Sequence, residues 1–378
     1  MASIAKRKNG KWLARYRDAT GKEHAKQFVR KADGDKWLAS LTTALARGEW
    51  VDPSLSKITV EAWSAYWLKG QAHLKPSTRA TYESLLRHHV IPAWGNVRLN
   101  AVSHADVAAW VARLHADGLS ASRTRQAHRV LSLMLTLAVR DGRLARNTAE
   151  GVDLPRLPHD QRRYLDHIQV ARLAGAAGPY RTLVLTLAYC GLRFGEAAAL
   201  RVCNVDLMRC RLRIVESVTE VNGRLEFGAT KTHAARSVPL PPSLRDALMV
   251  QLAGKAPGDF VFTSPEGGTL RVTAFRQRQF DKAVREAGLD GLTPHELRHT
   301  AASLAIAAGA NVKAVQAMLG HTSATTTLDR YGHLFADDLD AVAQRLDVAA
   351  ADAFADQVRT SSGSQVISLP LVANENAF

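Results

Sequence analysis

The chain has 378 residues, 46% of them hydrophobic, which predicts two or three domains with real cores and excludes disorder throughout. Lysine and arginine number 50 against 35 aspartates and glutamates, a net charge of +15 that points to a polyanionic partner. No apolar run approaches the roughly 18 residues of a membrane helix, and the residues after Met1 lack a signal-peptide core, so the expectation is a soluble protein of the cytoplasm. Cys190, Cys203 and Cys210 form no CxxC pair, which predicts reduced thiols and removes zinc-finger and disulfide-scaffold readings.

The charge and the aromatics are unevenly spread. Residues 1–55 carry 12 basic and 6 acidic side chains and residues 56–158 carry 14 and 7, so most of the excess lies before residue 159. All seven tryptophans precede residue 111, a composition shift that predicts separately built halves. Residues 11–17 and 24–30 alternate like two short strands, and a helix follows with Asp33 as its candidate N-cap and Trp37, Leu38, Leu41 and Leu45 on one face. Arg15, Arg17, Lys22, Lys26 and Arg30 project from this ribbon, as DNA contacts or as an ordinary solvated surface. Residues 51–56 read as a linker.

Four helices are predicted next, near 58–69, 76–89, 104–117 and 120–141, with Ser77, Ser103 and Ser120 as candidate N-caps. The last is divided: its first half carries Arg123, Arg125, His128 and Arg129, and its second half is apolar from Val130 to Val139. One end suits phosphates and the other a core. Residues 151–163 hold two prolines without periodicity and read as a second linker. Beyond them the pattern is mixed. Helices are predicted near 166–176, 180–190 and 194–200, then strands at 211–218, 224–228 and 235–239. Helices resume near 242–253, 272–287, 294–308, 311–318, 323–329 and 336–346, and a tail with a strand-like patch at 365–372 closes the chain. The fold class is therefore multidomain and mainly α with small β elements (α+β).

The C-terminal part carries an unusual polar set. Arg193 opens a short helix that includes Glu196, and Lys231 lies in the predicted turn of a hairpin. His295 and Arg298, three apart, share a helix face behind strong start signals: Thr293 as N-cap, Pro294 first, Glu296 as the capping-box partner. His321 follows a Leu-Gly turn, and Tyr331 comes ten residues later. A phosphodiester transition state spreads negative charge over its oxygens, which paired guanidiniums meet with fixed forks. A tyrosine hydroxyl can attack phosphorus, and a Lys or His can protonate the leaving oxygen. Such chemistry needs neither metal nor nucleotide cofactor, and GxxxxGK[ST] is absent.

Gly-Leu-Arg-Phe-Gly-Glu at 191–196, His-Glu-Leu-Arg-His-Thr at 295–300, Leu-Gly-His at 319–321 and Asp-Arg-Tyr-Gly-His at 329–333 together resemble the signature of the tyrosine recombinases, or phage-type integrases. The resemblance spans residues 56 to 346. It implies that Arg193, His295, Arg298 and His321 bind the scissile phosphate, that Lys231 protonates the 5′-oxygen, and that Tyr331 is the nucleophile of a 3′-phosphotyrosyl intermediate. Glu196 would support the site from behind, with His299 and His333 as structural neighbours. The implied domains are an arm-type DNA-binding-like domain over 1–55, a core-binding helical (SAM-like) domain over 56–155, the catalytic domain over 160–346 and a tail over 347–378. The expected partners are double-stranded DNA attachment sites bound by a homotetramer, with a host DNA-bending factor and a recombination directionality factor beside it, no membrane, and a nucleoid-associated location.

Three rivals stand against an integrase. A chromosome-dimer-resolving recombinase or a type IB topoisomerase would use the same site, although the extra N-terminal module favours assembly at complex sites. His-Glu-Leu-Arg-His also fits HExxH, the zinc-hydrolase pattern, but no glutamate lies between 296 and 375 to complete it.

Overall fold

The computed structural model describes residues 2–18, 21–46, 55–158, 163–229, 235–335, 343–344 and 346–354. The chain divides into two compact units, one of Met1–Gln161 with Thr219–Glu226, the other of Arg162–Val218 with Phe227–Phe378. The strand-like patch at 365–372 and most of the helix expected at 336–346 lie outside the described residues. None of the described helices is long and apolar enough to cross a membrane.

The first unit opens with three antiparallel strands, β1 (Ser3–Lys6), β2 (Trp12–Arg17) and β3 (Glu23–Phe28), and helix α1 (Lys31–Ala46) packs on them. Four residues of β1 show too little alternation to register as a strand, so the expected two-stranded ribbon is a three-stranded sheet. Helix α1 begins at Lys31, which puts Asp33 in its first turn rather than at the N-cap. Register then sorts the basic residues, because paired residues share a face. Ala14 pairs with Lys26 and Tyr16 with His24, whereas Arg15 pairs with Ala25 and Arg17 with Glu23. Tyr16 and Phe28 meet Trp37 of α1 at 5.5 and 5.4 Å between rings, and the Lys26 ammonium lies 5.4 Å from the Phe28 ring. Lys26 is thus on the helix side, while Arg15 and Arg17 stand on the open face beside Glu23, each 3.6 Å from its carboxylate.

Helices α2 (Val60–Lys69), α3 (Pro76–Leu85), α4 (Ile91–Trp94), α5 (His104–Ala116) and α6 (Ala121–Arg140) build the rest of this unit. A π turn over Leu86–Val90 joins α3 to α4. Ser103 and Ser120 cap α5 and α6 as expected, but α3 begins with Pro76 in its first turn after Lys75, so Ser77 is inside the helix. The core explains the early tryptophans. Trp63, Trp67, Trp94 and Trp110 are all buried with Leu131, Met134 and Leu135 of α6. The Trp63 indole N–H donates to the Met134 carbonyl at 2.9 Å, which satisfies it inside the core.

The second unit runs through α7 (His167–Ala176), α8 (Arg181–Cys190) and α9 (Phe194–Ala198). Strands β4 (Val205–Asp206), β5 (Arg211–Ile214), β6 (Glu216–Val221), β7 (Arg224–Ala229) and β8 (Arg236–Pro239) follow, with Thr219–Glu226, the end of β6 and the start of β7, counted in the first unit. After them come α10 (Pro242–Leu252), α11 (Val272–Phe275), α12 (Asp281–Glu286), α13 (Pro294–Ala307), α14 (Val312–Leu319) and α15 (Ala324–Tyr331). The single helix expected over 272–287 is interrupted by a π turn at Arg276–Phe280. One sheet has the order β4-β5-β8 and a second pairs β6 with β7. Strands β7 and β8 are therefore in different sheets, and the segment with Lys231 joins two sheets rather than closing a hairpin; Lys231 itself lies outside the described residues. Helices α8 and α13 pack together at the centre, with α14 against α13 and β8.

Candidate active site

Helix α13 starts as its sequence dictates. Glu296 accepts hydrogen bonds from the Thr293 backbone N–H at 2.6 Å and from the Thr293 hydroxyl at 3.0 Å, and Pro294 fills the first turn where its missing N–H costs nothing. This fixes His295 and Arg298 on one face. It also commits Glu296 to the helix start, away from the general-base role that the zinc-hydrolase pattern requires. Among the described residues, no three His, Cys, Asp or Glu side chains stand together to hold a metal ion.

Arg298 is 2% exposed, and its guanidinium ties two helix ends together. Nη1 donates to the Gly191 carbonyl at 2.6 Å, and Nη2 donates to the Leu319 carbonyl. Gly191 is the left-handed C-cap of α8, and Leu319 is the last residue of α14, just before its left-handed C-cap Gly320. Gly191 has φ +65°, and a Cβ there would lie 2.8 Å from Leu319 Cδ2. Gly320 has φ +64°, and its Cβ would lie 2.8 Å from Arg236 Cδ. Only glycine meets both demands, which is the physical content of the Cys-Gly-Leu-Arg and Leu-Gly-His strings.

Beneath Arg193 and Arg236 lies the carboxylate of Glu196, whose side chain is fully buried. It accepts from the Arg193 backbone N–H at 2.9 Å and from Arg193 Nη1 at 2.8 Å. It also takes a two-pronged contact from Arg236, at 2.9 and 2.6 Å. Burial alone would raise the Glu196 pKa; the Arg236 hydrogen bonds and charge, with Arg193 behind them, reverse this and hold it at about 2. Arg236 also donates through Nε to the Met318 carbonyl at 3.1 Å, so one carboxylate aligns two guanidiniums next to the end of α14.

Tyr331 ends α15 and is fully buried, its hydroxyl 2.8 Å from Nδ1 of His299. The His321 ring lies parallel to the phenol, 6.4 Å between centroids, and its Nδ1 is hydrogen-bonded with the Thr327 hydroxyl at 2.9 Å. His295 meets His299 edge-on at 5.1 Å. Burial and then the charges of Arg298, Arg330 and Arg193 lower the pKa of His295. The same causes, joined by Arg236, bring His321 down to about 4. Burial first and Arg193 second weaken the proton affinity of Arg298, to about 9, so it remains a cation at neutral pH. The site thus sets Arg193, Arg236 and Arg298 against a single buried carboxylate and keeps His295 and His321 neutral. An excess of fixed positive charge with desolvated donors is what a phosphodiester needs as negative charge builds on it.

The structure brings together Arg193, Glu196, His295, Arg298, His321 and Tyr331. Two members of the cluster escape the sequence reading. Arg236 looks like any basic residue at a strand start, since its partner Glu196 is 40 positions away. His299 stands four residues from His295, the spacing that shares a helix face, yet the sequence marks it only as a structural neighbour. The other tyrosines of the second unit have different partners: Tyr164 with His333 at 3.3 Å, Tyr189 with His167 at 3.0 Å, and Tyr180 against Phe275.

In the first unit, Arg125 and Arg129 line an open groove with Gln126, Leu154 and Leu157. Arg125 Nη1 donates to the Pro155 carbonyl at 3.2 Å and Arg123 Nη2 to the Ser84 hydroxyl at 3.1 Å. His128 also borders this groove but is buried, its Nε2 2.9 Å from the Ala149 carbonyl, and burial lowers its pKa. Lys22 and Arg30 are exposed beside the N-terminal sheet.

Comparison with known proteins bears on the family and the fold. Residues 161–337 match the model of the phage integrase family, and residues 59–115 match the phage integrase N-terminal SAM-like domain. The integrase of Mycobacterium phage L5 is 28% identical over 318 residues, covering 78% of this chain and 83% of that protein. The tyrosine recombinase XerC of Pseudomonas aeruginosa is 32% identical, covering 62% of this chain and 76% of that protein. Among solved structures, the integrase of transposon Tn1549 in complex with transposon right end DNA superposes with a TM-score of 0.68 at 21% identity, covering 77% of this chain and all of that one.

Proposed function

The chain belongs to the phage integrase family of tyrosine recombinases, and on that footing we propose that it recombines DNA at specific attachment sites through a 3′-phosphotyrosyl intermediate. The observation that carries this reading is the convergence of Arg193, Arg298, His295 and His321 around a buried tyrosine hydroxyl. Arg193 and Arg298 hold the non-bridging oxygens of the scissile phosphate, and His295 and His321, neutral at physiological pH, complete the set of donors. The Tyr331 hydroxyl attacks phosphorus, the bond to the 5′-oxygen breaks, and Lys231 supplies that oxygen with its proton. The phosphotyrosyl bond stores the energy of the broken one, so a 5′-hydroxyl from another strand restores the backbone without an external energy source.

Two duplexes present four scissile phosphates, and each active site holds one nucleophile, so recombination takes four protomers and passes through a Holliday junction. Arg123, Arg125 and Arg129 contact the core site. The N-terminal sheet binds separate arm-type sites, with Arg15 and Arg17 on its open face and Lys22 and Arg30 beside it. Lys26, on the helix side, supports the sheet. A host DNA-bending factor and a directionality factor then set the geometry and the outcome, at the nucleoid. The N-terminal sheet-and-helix module, ahead of the SAM-like segment, favours an integrase over a chromosome-dimer-resolving recombinase.

The test uses the wild-type protein on a nicked suicide duplex carrying its candidate attachment core, in EDTA. A covalent protein–DNA band on a denaturing gel, followed by strand exchange between two sites, supports recombination. A band with relaxation of supercoils and no two-site exchange means a type IB topoisomerase. Site-specific binding without any band means that the chain binds DNA with an inactive site.

The arm reading has its own test. Deleting residues 1–55 is expected to abolish binding to one class of site while core-site cleavage persists. The slope of log K against log [salt] should flatten by about 0.9 for each phosphate that the shortened protein no longer neutralises. A truncated protein with the full-length slope and normal integration overturns it.

A further inference from the structure

The tyrosine must lose a proton to become a nucleophile, and the site so far described has no group assigned to take it. We propose that His299 is the proton acceptor for the Tyr331 hydroxyl, a catalytic residue in addition to the phosphate-binding set. This rests on the reading of Tyr331 as nucleophile and extends it. The Nδ1 of His299 is 2.8 Å from the phenolic oxygen, within the reach that general-base catalysis requires. Tyr331 is fully buried and His299 is 8% exposed, so the pair meets in a dry interior rather than through bulk water.

The neighbouring histidines are placed for other work. Nδ1 of His321 is engaged with Thr327, and its ring is parallel to the phenol at 6.4 Å, a face-on stance. His295 meets His299 edge-on at 5.1 Å and lies one helical turn nearer the start of α13. The elements packed against α13 bring Tyr189 and Cys190 on α8, Lys313 on α14 and His333 in the turn Gly332–Leu334. Helix α15 adds Arg330 with Tyr331, and α13 itself adds His295 and Arg298.

The step balances. As Tyr331 Oη forms its bond to phosphorus, the Oη–H proton passes to His299 Nδ1, the bond from phosphorus to the 5′-oxygen breaks, and the leaving oxygen takes a proton from the separate acid, Lys231. Rejoining runs in reverse, with His299 returning its proton to the departing phenolate. Burial first, and then the guanidiniums, keep His295 and His321 neutral; the same guanidiniums oppose a new positive charge nearby, and an entering phosphodiester offsets them. Proton transfer is thereby coupled to DNA arrival.

The experiment measures single-turnover adduct formation by the full chain with His299→Asn and His299→Gln, at saturating suicide DNA, from pH 6 to 9.5. Wild-type DNA affinity in either variant certifies its fold. The expected result is a loss of about 10²–10⁴-fold at pH 7, with a variant rate that climbs about tenfold per pH unit as Tyr331 ionises unaided. A 5′-bridging sulfur in the substrate, whose thiolate leaves without a proton, should not rescue these variants. It should rescue Lys231→Ala. Imidazole added to His299→Ala should restore part of the rate. A variant with wild-type rate and pH profile, or one rescued by the bridging sulfur, overturns the proposal. Persistence of the adduct in Tyr331→Phe would instead overturn the nucleophile reading beneath it.

Discussion

Tyr331→Phe is expected to eliminate the covalent protein–DNA adduct, with residual cleavage at least about 10⁴-fold below wild type, because the phenyl ring offers no nucleophile at all. DNA affinity should stay within about twofold, since no phosphate-binding group is removed and neutralised phosphates set affinity. The substitution is close to isosteric, and the buried ring keeps its packing against His321 and His299. Its cost is the hydrogen bond to His299, which leaves a buried nitrogen without the hydroxyl and lowers stability by about 1–3 kcal/mol. That combination separates a nucleophile from a structural tyrosine: the adduct disappears, binding persists and the melting temperature falls modestly. An adduct that survives would send the search to Tyr164, Tyr180 or Tyr189, and peptide mapping of the modified residue identifies which.

The parts of this molecule that are legible in the sequence are those written in local chemistry. The start of α13 needs only Thr293, Pro294 and Glu296, all within four residues, and with it comes the shared face of His295 and Arg298. The caps at Ser103 and Ser120 are readable for the same reason. Ser77 misleads because Pro76, one residue earlier, already holds the first turn, and a fixed φ outweighs a side-chain cap there. Lys26 differs from Arg15 and Arg17 by parity: in a strand, a one-residue offset changes the face, and only the pairing of β2 with β3 shows which residues lie on the α1 side. Glu196 with Arg236, and Tyr331 with His299, are tertiary pairs 40 and 32 positions apart. No periodicity predicts such a pair; the family motifs name Glu196, His299 and Tyr331 but not Arg236, and only the folded chain shows which of these residues touch.

Glu196→Gln should destabilise the protein more than any substitution on the surface of the site. The carboxylate is fully buried and takes hydrogen bonds from two guanidiniums and one backbone N–H. An amide keeps its shape but not its charge, and its NH2 turns a donor toward Arg193 or Arg236. Two cations, with Arg298 close by, are left without their counter-charge, and breaking a buried pair in this way costs about 3–5 kcal/mol. The acid dependence gives an independent measure. Glu196 has a folded-state pKa of about 2 against an ordinary 4.5, so its stabilisation is fully present above pH 4.5 and is lost as pH falls through about 2. The shift corresponds to about 3 kcal/mol, in line with the mutational expectation. His295 and His321 have lowered pKa values and act in a different window: their unfolded forms take up protons first, so stability falls as pH drops below 6.5 in wild type and variant alike. That contribution cancels in the difference between the two proteins. Urea unfolding of both from pH 7 to pH 3 should therefore show a gap that is constant down to about pH 4.5 and narrows below it. A gap that is absent at pH 7, or that does not narrow in acid, would mean that Glu196 is not the counter-charge on which the arginines of this site are aligned.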